Sequence, residues 1–253
     1  MERYGSKASE DMTDRLSEAL ARSTVYRLLA RAFLLEPTPS FLAGLGEPPI
    51  LRVLAKVGGQ WLTKLPDMDF DALAEELTTE YARIFIGPGY HLHPYESMHA
   101  AIDAAEWEGP DSLLYGKPAV AVGEFYLQAG IVPAQSFRGL PDHIGVELEC
   151  MSHLSAREAR SWEREDAEGA ISSLALQRTF LHQHLVPWLP RFARRVRRFG
   201  GHPFYCSMAS AASRFVRVDL LTVDDLLSDH QVPDEGIGEF RQTATSVRSH
   251  RRQ

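Results

Sequence analysis

The chain has 253 residues, a mass of 28.3 kDa, 44% hydrophobic and 24% charged residues, which is ordinary for a globular protein with one sizeable core and excludes disorder throughout. Its two cysteines, Cys150 and Cys206, form no C-x-x-C pairing, so neither a disulfide framework nor a zinc knuckle is suggested. The net charge of -7 is uneven: from Arg191 onward 11 Lys/Arg face 7 Asp/Glu, so the first 190 residues carry -11, a body that repels nucleic acid and suits a basic peptide.

In chain order, residues 1–12 are polar, with no apolar core of signal-peptide length, and are expected to be a flexible N-terminus. Thr13 or Asp14 can cap a helix whose apolar residues Leu16, Ala19, Leu20, Tyr26, Ala30, Phe33 and Leu34 recur at helical spacing, ending before Pro37. A short helix is predicted over Ile50 to Val57. A third spans Phe70 to Ile86, capped by Asp69 and stopped at Gly87-Pro88-Gly89, with Leu73, Leu77, Tyr81 and Ile84 on one face.

Tyr90 to Pro118 lacks periodicity and holds Pro94, Gly109, Pro110 and Gly116, which reads as a long connection; loops of that length are commonly functional. Helices follow over Ala119 to Ala129 and, with Asp142 as N-cap after Pro141, through Ile144, Leu148, Met151 and Leu154 to about Glu165. Thr179 to Val186 is helical and Pro187 and Pro190 are expected to interrupt it. Arg191 to Phe199 is a short basic helix whose arginines read as a solvated face. Tyr205 to Leu220 is another helix, and Thr222 with Asp225 resembles a capping box. No strand pattern emerges, and beyond Pro233 the chain thins into a polar, basic tail. The expected architecture is all-α, a single-domain helical bundle over residues 13–232 with a tail over 233–253. No run of about 18 apolar residues occurs, so the protein is expected to stay in the cytoplasm.

The candidate chemistry is sparse. Gly87-Pro88-Gly89 lacks the following Lys-Ser/Thr and preceding strand of a phosphate loop, and reads as a helix stop. Ten histidines invite a metal, and His143 with Glu147 or Glu149 with His153 could each supply two ligands four residues apart, but neither H-E-x-x-H nor the repeated E-x-x-H of di-metal bundles is present. Glu147 and Glu149 point about 200° apart on a helix and cannot share a proton, and Cys150 lies in an apolar helical run where thiols are inert. No metal and no catalytic residue is assigned, and the chain reads as a binding protein; a metal-dependent enzyme built on the histidines stays open as the alternative of another class. Pro94-Tyr95-Glu96-Ser97 combines a rigid residue, an aromatic, a carboxylate and a hydroxyl, suited to gripping a partner chain or to tucking Tyr95 into the core. Asp142 is accounted for by capping; His143, in the first turn of the helix, is not.

Four motifs in this order, EYARIFIGPG (80–89), PYES (94–97), PDHIGVELE (141–149) and FLHQHLVPW (180–188), resemble the TorD/DmsD family of molybdoenzyme-maturation chaperones. The resemblance spans about Thr13 to Leu220. It implies an all-helical protein that binds the twin-arginine leader, or the apo form, of a molybdopterin oxidoreductase catalytic subunit of the dimethyl sulfoxide reductase class, and delays export until cofactor is inserted. A chaperone of a non-exported, nitrate-reductase-like client is the alternative within the family. The resemblance places peptide binding at Pro94 to Ser97 and at Asp142 and His143; this chain departs from members that carry Trp at the position of Tyr95 and Gly at that of Glu96. Because such a leader offers guanidinium groups ahead of an apolar run, its receptor needs carboxylates beside an apolar groove. Glu96, Asp142 and Glu147 are candidates for the first; Tyr81, Phe85, Tyr95 and Trp188 for the second. Relatives have been linked to guanine nucleotides and to the molybdenum cofactor, but no phosphate-binding motif here supports either, and no bound cofactor is expected. Monomer is the expected state, with a domain-swapped dimer permitted by the long connection.

Overall fold

The structure, a computed structural model, describes residues 2–87, 91–99, 116–132 and 137–229, with side chains described from Met12 onward. Nine α-helices are present among these residues: α1 (Glu2–Leu34), α2 (Pro39–Gly46), α3 (Pro48–Gly58), α4 (Phe70–Tyr81), α5 (Lys117–Ala129), α6 (Ile144–Glu163), α7 (Ala167–Phe180), α8 (Val186–Arg198) and α9 (Pro203–Ser228). Between Tyr95 and His143 there is one isolated antiparallel bridge and, among the described residues, no strand. The all-α class expected from the periodicity is therefore the observed one.

The long helices α1, α6, α7 and α9 form the centre, with α8 and α3 against α9 and α2 against α4. Close approach of α1 to α6 depends on small residues. Ser23 Oγ donates to the Ser152 carbonyl and Ser152 Oγ to the Ser23 carbonyl, both at 2.9 Å. At Gly145 a Cβ would lie 2.4 Å from the Leu34 side chain and 3.2 Å from the Ala30 carbonyl oxygen, so any larger residue would push the helices apart.

A buried polar cluster joins the same helices. Arg22 on α1 donates to Gln177 Oε1 (2.8 Å) and Asp219 Oδ1 (3.3 Å) and makes a short contact with Glu158. Glu158 also accepts from Gln177 Nε2 (2.8 Å) and Trp162 Nε1 (3.2 Å), and the Tyr26 hydroxyl donates to Asp219 at 2.5 Å. Burial acts to lower the pKa of Arg22, but the Asp219 and Glu158 charges outweigh it and raise it above its ordinary value. The pattern is one permanent cation between two carboxylates, with donors on the remaining oxygens, which is what burial of charge demands.

Several boundaries differ from the sequence expectation. Helix α1 begins at Glu2 and runs through Thr13 and Asp14, so neither caps it. Helix α2, capped by Thr38 Oγ1, and the 3₁₀ turns of Gln60–Asp67 were not expected, since they are short and lack a full helical period. The Asp69-capped helix extends to Ile86 as predicted, but its last five residues widen into a π-helical turn in which the Gly87 amide donates to the Ala82 carbonyl. Pro187 and Pro190 do not interrupt the chain: α7 passes through a second π turn, Leu181–Leu185, into α8. The wider turn before Pro187 absorbs the clash and missing amide that proline brings to a regular helix. Thr222 does not restart a helix; α9 runs through it, and its hydroxyl bonds back to the Val218 carbonyl at 3.3 Å. Residues 88–89 of the expected Gly-Pro-Gly stop, residues 90 and 100–115 of the long connection and the tail over 233–253 lie outside the described residues.

Candidate functional site

The PYES turn is held against the start of α6. The Glu96 amide donates to the Asp142 carbonyl (2.9 Å), the Ile144 amide to the Pro94 carbonyl (2.8 Å), and the Ser97 amide to Asp142 Oδ2 (2.9 Å). Asp142 is therefore not the N-cap expected from the sequence. Its carboxylate is drawn 45 residues away along the chain, and His143 caps α6 instead, its Nδ1 accepting from the Gly145 amide at 3.1 Å. That bond requires Nδ1 to be unprotonated, in keeping with burial, which lowers the pKa of His143 to about 4.

Beneath the turn lies a second buried polar cluster. His184, carried inward by the π turn, has Nδ1 2.9 Å from Glu96 Oε2, and Trp188 Nε1 donates to Glu147 Oε2 at 3.1 Å. Glu147 is fully buried. Its pKa is pushed well above the ordinary value by desolvation first and then by the charge of Glu96, with Asp142 adding and the Trp188 indole opposing. No hydrogen-bond partner reaches Glu147 Oε1 among the described residues. Glu96 and Glu147, residues far apart in sequence, thus lie in one buried cluster.

The end of the turn is anchored by α8. His99 Nε2 lies 2.7 Å from the His93 carbonyl, while Arg195 Nη1 donates to the Met98 carbonyl (3.1 Å) and approaches His99 Nδ1 (3.2 Å). An arginine can only donate, so Nδ1 accepts and the ring proton sits on Nε2. Burial, followed by the nearby Arg195 and Arg191 charges, lowers the pKa of His99 to about 4 even against the His93 bond. Arg191 donates to the His99 carbonyl at 2.8 Å. The basic helix is not uniformly a solvated face: two of its arginines clamp the turn. His184, His99 and Arg195 were missed by sequence reasoning. The i,i+4 spacing of His184 and Trp188 was the available signal, since it places both on one helical face.

Of the predicted peptide contacts, Pro94, Glu96, Ser97, Asp142, His143, Glu147 and Trp188 come together, but they are buried and bonded to one another; Tyr95, edge-on to the His143 ring at 5.2 Å, is the half-exposed member. Glu147 is not a solvated helix residue. Phe85 packs in the core against Phe33, Tyr81 and Phe192, and Trp188 is stacked with His99. Tyr81 donates its hydroxyl to the Phe33 carbonyl (2.7 Å) and belongs to a groove elsewhere. The three carboxylates therefore fix the turn from within and present no acidic surface.

Of the histidine–glutamate pairs at ligand spacing, His143 caps α6 and Glu147 accepts from Trp188. Among the described residues no group of three or more His, Cys, Asp or Glu side chains could hold a metal ion. Cys150 is buried, and desolvation raises its thiol pKa well above normal, which suits packing and not nucleophilic attack. No helix of the described residues is long and apolar enough to cross a membrane.

The family model described as "Nitrate reductase delta subunit" matches residues 54–194, the stretch that contains the pinned turn and both π turns. A chaperone protein TorD of Vibrio cholerae serotype O1 (strain M66-2) is 30% identical over 193 residues, covering 75% of this chain and 80% of its own length. The chain belongs to the TorD/DmsD family of molybdoenzyme-maturation chaperones. Other TorD chaperones extend the similarity: that of Vibrio parahaemolyticus is 29% identical over 71% of this chain and 78% of its own, and that of Shewanella pealeana 24% over 78% and 87%. In this TorD-like chain the family motifs PYES and PDHIGVELE are the two sides of one hydrogen-bonded junction.

Proposed function

We propose that the protein is a cytoplasmic chaperone, without turnover of its own, that binds the twin-arginine leader and apo form of a molybdopterin oxidoreductase catalytic subunit of the dimethyl sulfoxide reductase class. In this reading it holds the client back from export until cofactor is inserted. The observation that carries it is the family match across residues 54–194, to which the TorD relatives add similarity over 71% to 78% of the chain. The chemistry agrees. The titratable groups of the junction are buried and packed together, which suits a rigid scaffold for binding, and the acidic first 190 residues favour a basic partner.

The experiment is calorimetric titration of the purified protein with the leader of its cognate oxidoreductase, at low and moderate salt, beside a leader whose arginines are replaced by alanine. Saturable binding that needs the arginines and weakens with salt is expected. The family description favours a second reading, a chaperone that grips the body of a nitrate-reductase-like client that is not exported. Binding to the apo-enzyme with none to its isolated leader would select it.

A further inference from the structure

A groove of about 890 Å³ runs between the end of α1, with the link to α2, and the outer face of α4. Leu34, Ala74 and Tyr81 form its apolar floor, and Leu35 and Ile86, 58% and 63% exposed, stand at its edges. Glu36 lies on the α1 side; Asp71 and Glu75, one helical turn apart, lie on the α4 side. All three carboxylates are exposed, and among the described residues none is engaged in an ion pair. Arg31 is the only cation among the lining residues, and its guanidinium is committed. It donates to the Leu35 and Glu36 carbonyls, both at 2.9 Å, and lies 5.0 Å from the Phe41 ring centroid.

We propose that this groove, and not the buried carboxylates of the pinned turn, seats the arginine-bearing segment of the leader, an inference that rests on the leader-binding reading above. Two adjacent guanidinium groups reach the Asp71–Glu75 pair and Glu36 across the gap, while the apolar run that follows lies on Leu34, Tyr81, Leu35 and Ile86. The charge and the apolar strip occur side by side, as a receptor for such a segment requires. The exposed leucine and isoleucine are the kind of apolar surface that folding leaves uncovered where a partner covers it.

The test is the same calorimetric titration with the wild-type protein, with E36Q/D71N/E75Q, and with E163Q/E168Q/D225N, which removes the same charge from exposed positions on α6, α7 and α9. The inference expects the groove variant to bind the wild-type leader about tenfold more weakly or worse, and the distant variant to match wild type. Equal binding by the groove variant and wild type would overturn the groove as the seat while leaving leader binding intact. Equal weakening in both variants would reduce the effect to net charge and also overturn it. No binding of the leader to wild type would overturn the leader-binding reading itself, and the inference with it.

Discussion

The molecule contains two buried polar clusters of opposite design. Around Arg22, one permanent cation sits between Glu158 and Asp219, with Tyr26, Gln177 and Trp162 donating to the remaining oxygens. Around Glu96, three carboxylates share a site with the imidazole of His184 and the indole of Trp188, and among the described residues no lysine or arginine pairs with them. The first cluster ties long helices together through that cation. The second holds one turn of chain and contains a carboxyl, Glu147, whose neutral form burial favours. Burial of charge is thus met in the first by a fixed counter-ion and in the second, at Glu147, by a raised pKa, and a raised pKa makes stability depend on pH.

The largest expected effect tests the first design. Arg22→Met leaves Glu158 and Asp219 buried without their cation and should cost about 3–5 kcal/mol in urea unfolding at pH 7. A loss below about 1 kcal/mol would show that the cluster does not lock α1 to the bundle.

The second effect separates the two clusters by pH. Glu147 has a folded pKa above its unfolded value, so its contribution is complete below the ordinary carboxylate range and is lost as pH rises through the folded value. His99 and His143 run the other way: with folded values near 4 against 6.5, their contribution is complete above pH 6.5 and is lost as pH falls towards about 4. Each slope is at most about 1.4 kcal/mol per pH unit. Wild-type stability should therefore decline on both sides of a maximum. In Glu147→Gln, whose amide stays neutral, the decline at higher pH should flatten while the acid limb persists. Parallel profiles for the two proteins would place the proton elsewhere.

The smallest effect concerns the junction between turn and helix. His143→Ala removes the α6 cap and should cost about 1 kcal/mol, with His143→Asn recovering most of it, measured as urea midpoints near pH 7. Were Asn no better than Ala, packing against Tyr95 and not capping would be what His143 supplies.

Much of the fold was legible because helical periodicity is local. The spacing of Phe70, Leu73, Leu77 and Tyr81, with Asp69 ahead of it, specifies α4 and its cap without knowledge of any neighbour. Where the reading failed, a distant partner had decided. Asp142 has the stronger capping preference, yet the Ser97 amide claims its carboxylate and the cap passes to the next residue. Pro187 has the signature of a helix break, yet a π turn carries the chain past it. The candidate site was half legible. The motifs that form it were singled out, but their carboxylates were expected to face a ligand, because nothing in the spacing of Glu96, Asp142 and Glu147 reports that they converge.

The sequence by itself determined the all-helical class, most of the helices, an acidic body and membership of a chaperone family, all of which follow from composition, short-range periodicity and ordered motifs. Only the tertiary structure decided that the motif carboxylates turn inward, while Glu36, Asp71 and Glu75, which belong to no motif, face solvent around an apolar groove. The reason is physical. A residue's period fixes which face of its own helix it occupies, but whether that face meets water, an indole or another carboxylate depends on how helices separated by tens of residues pack together.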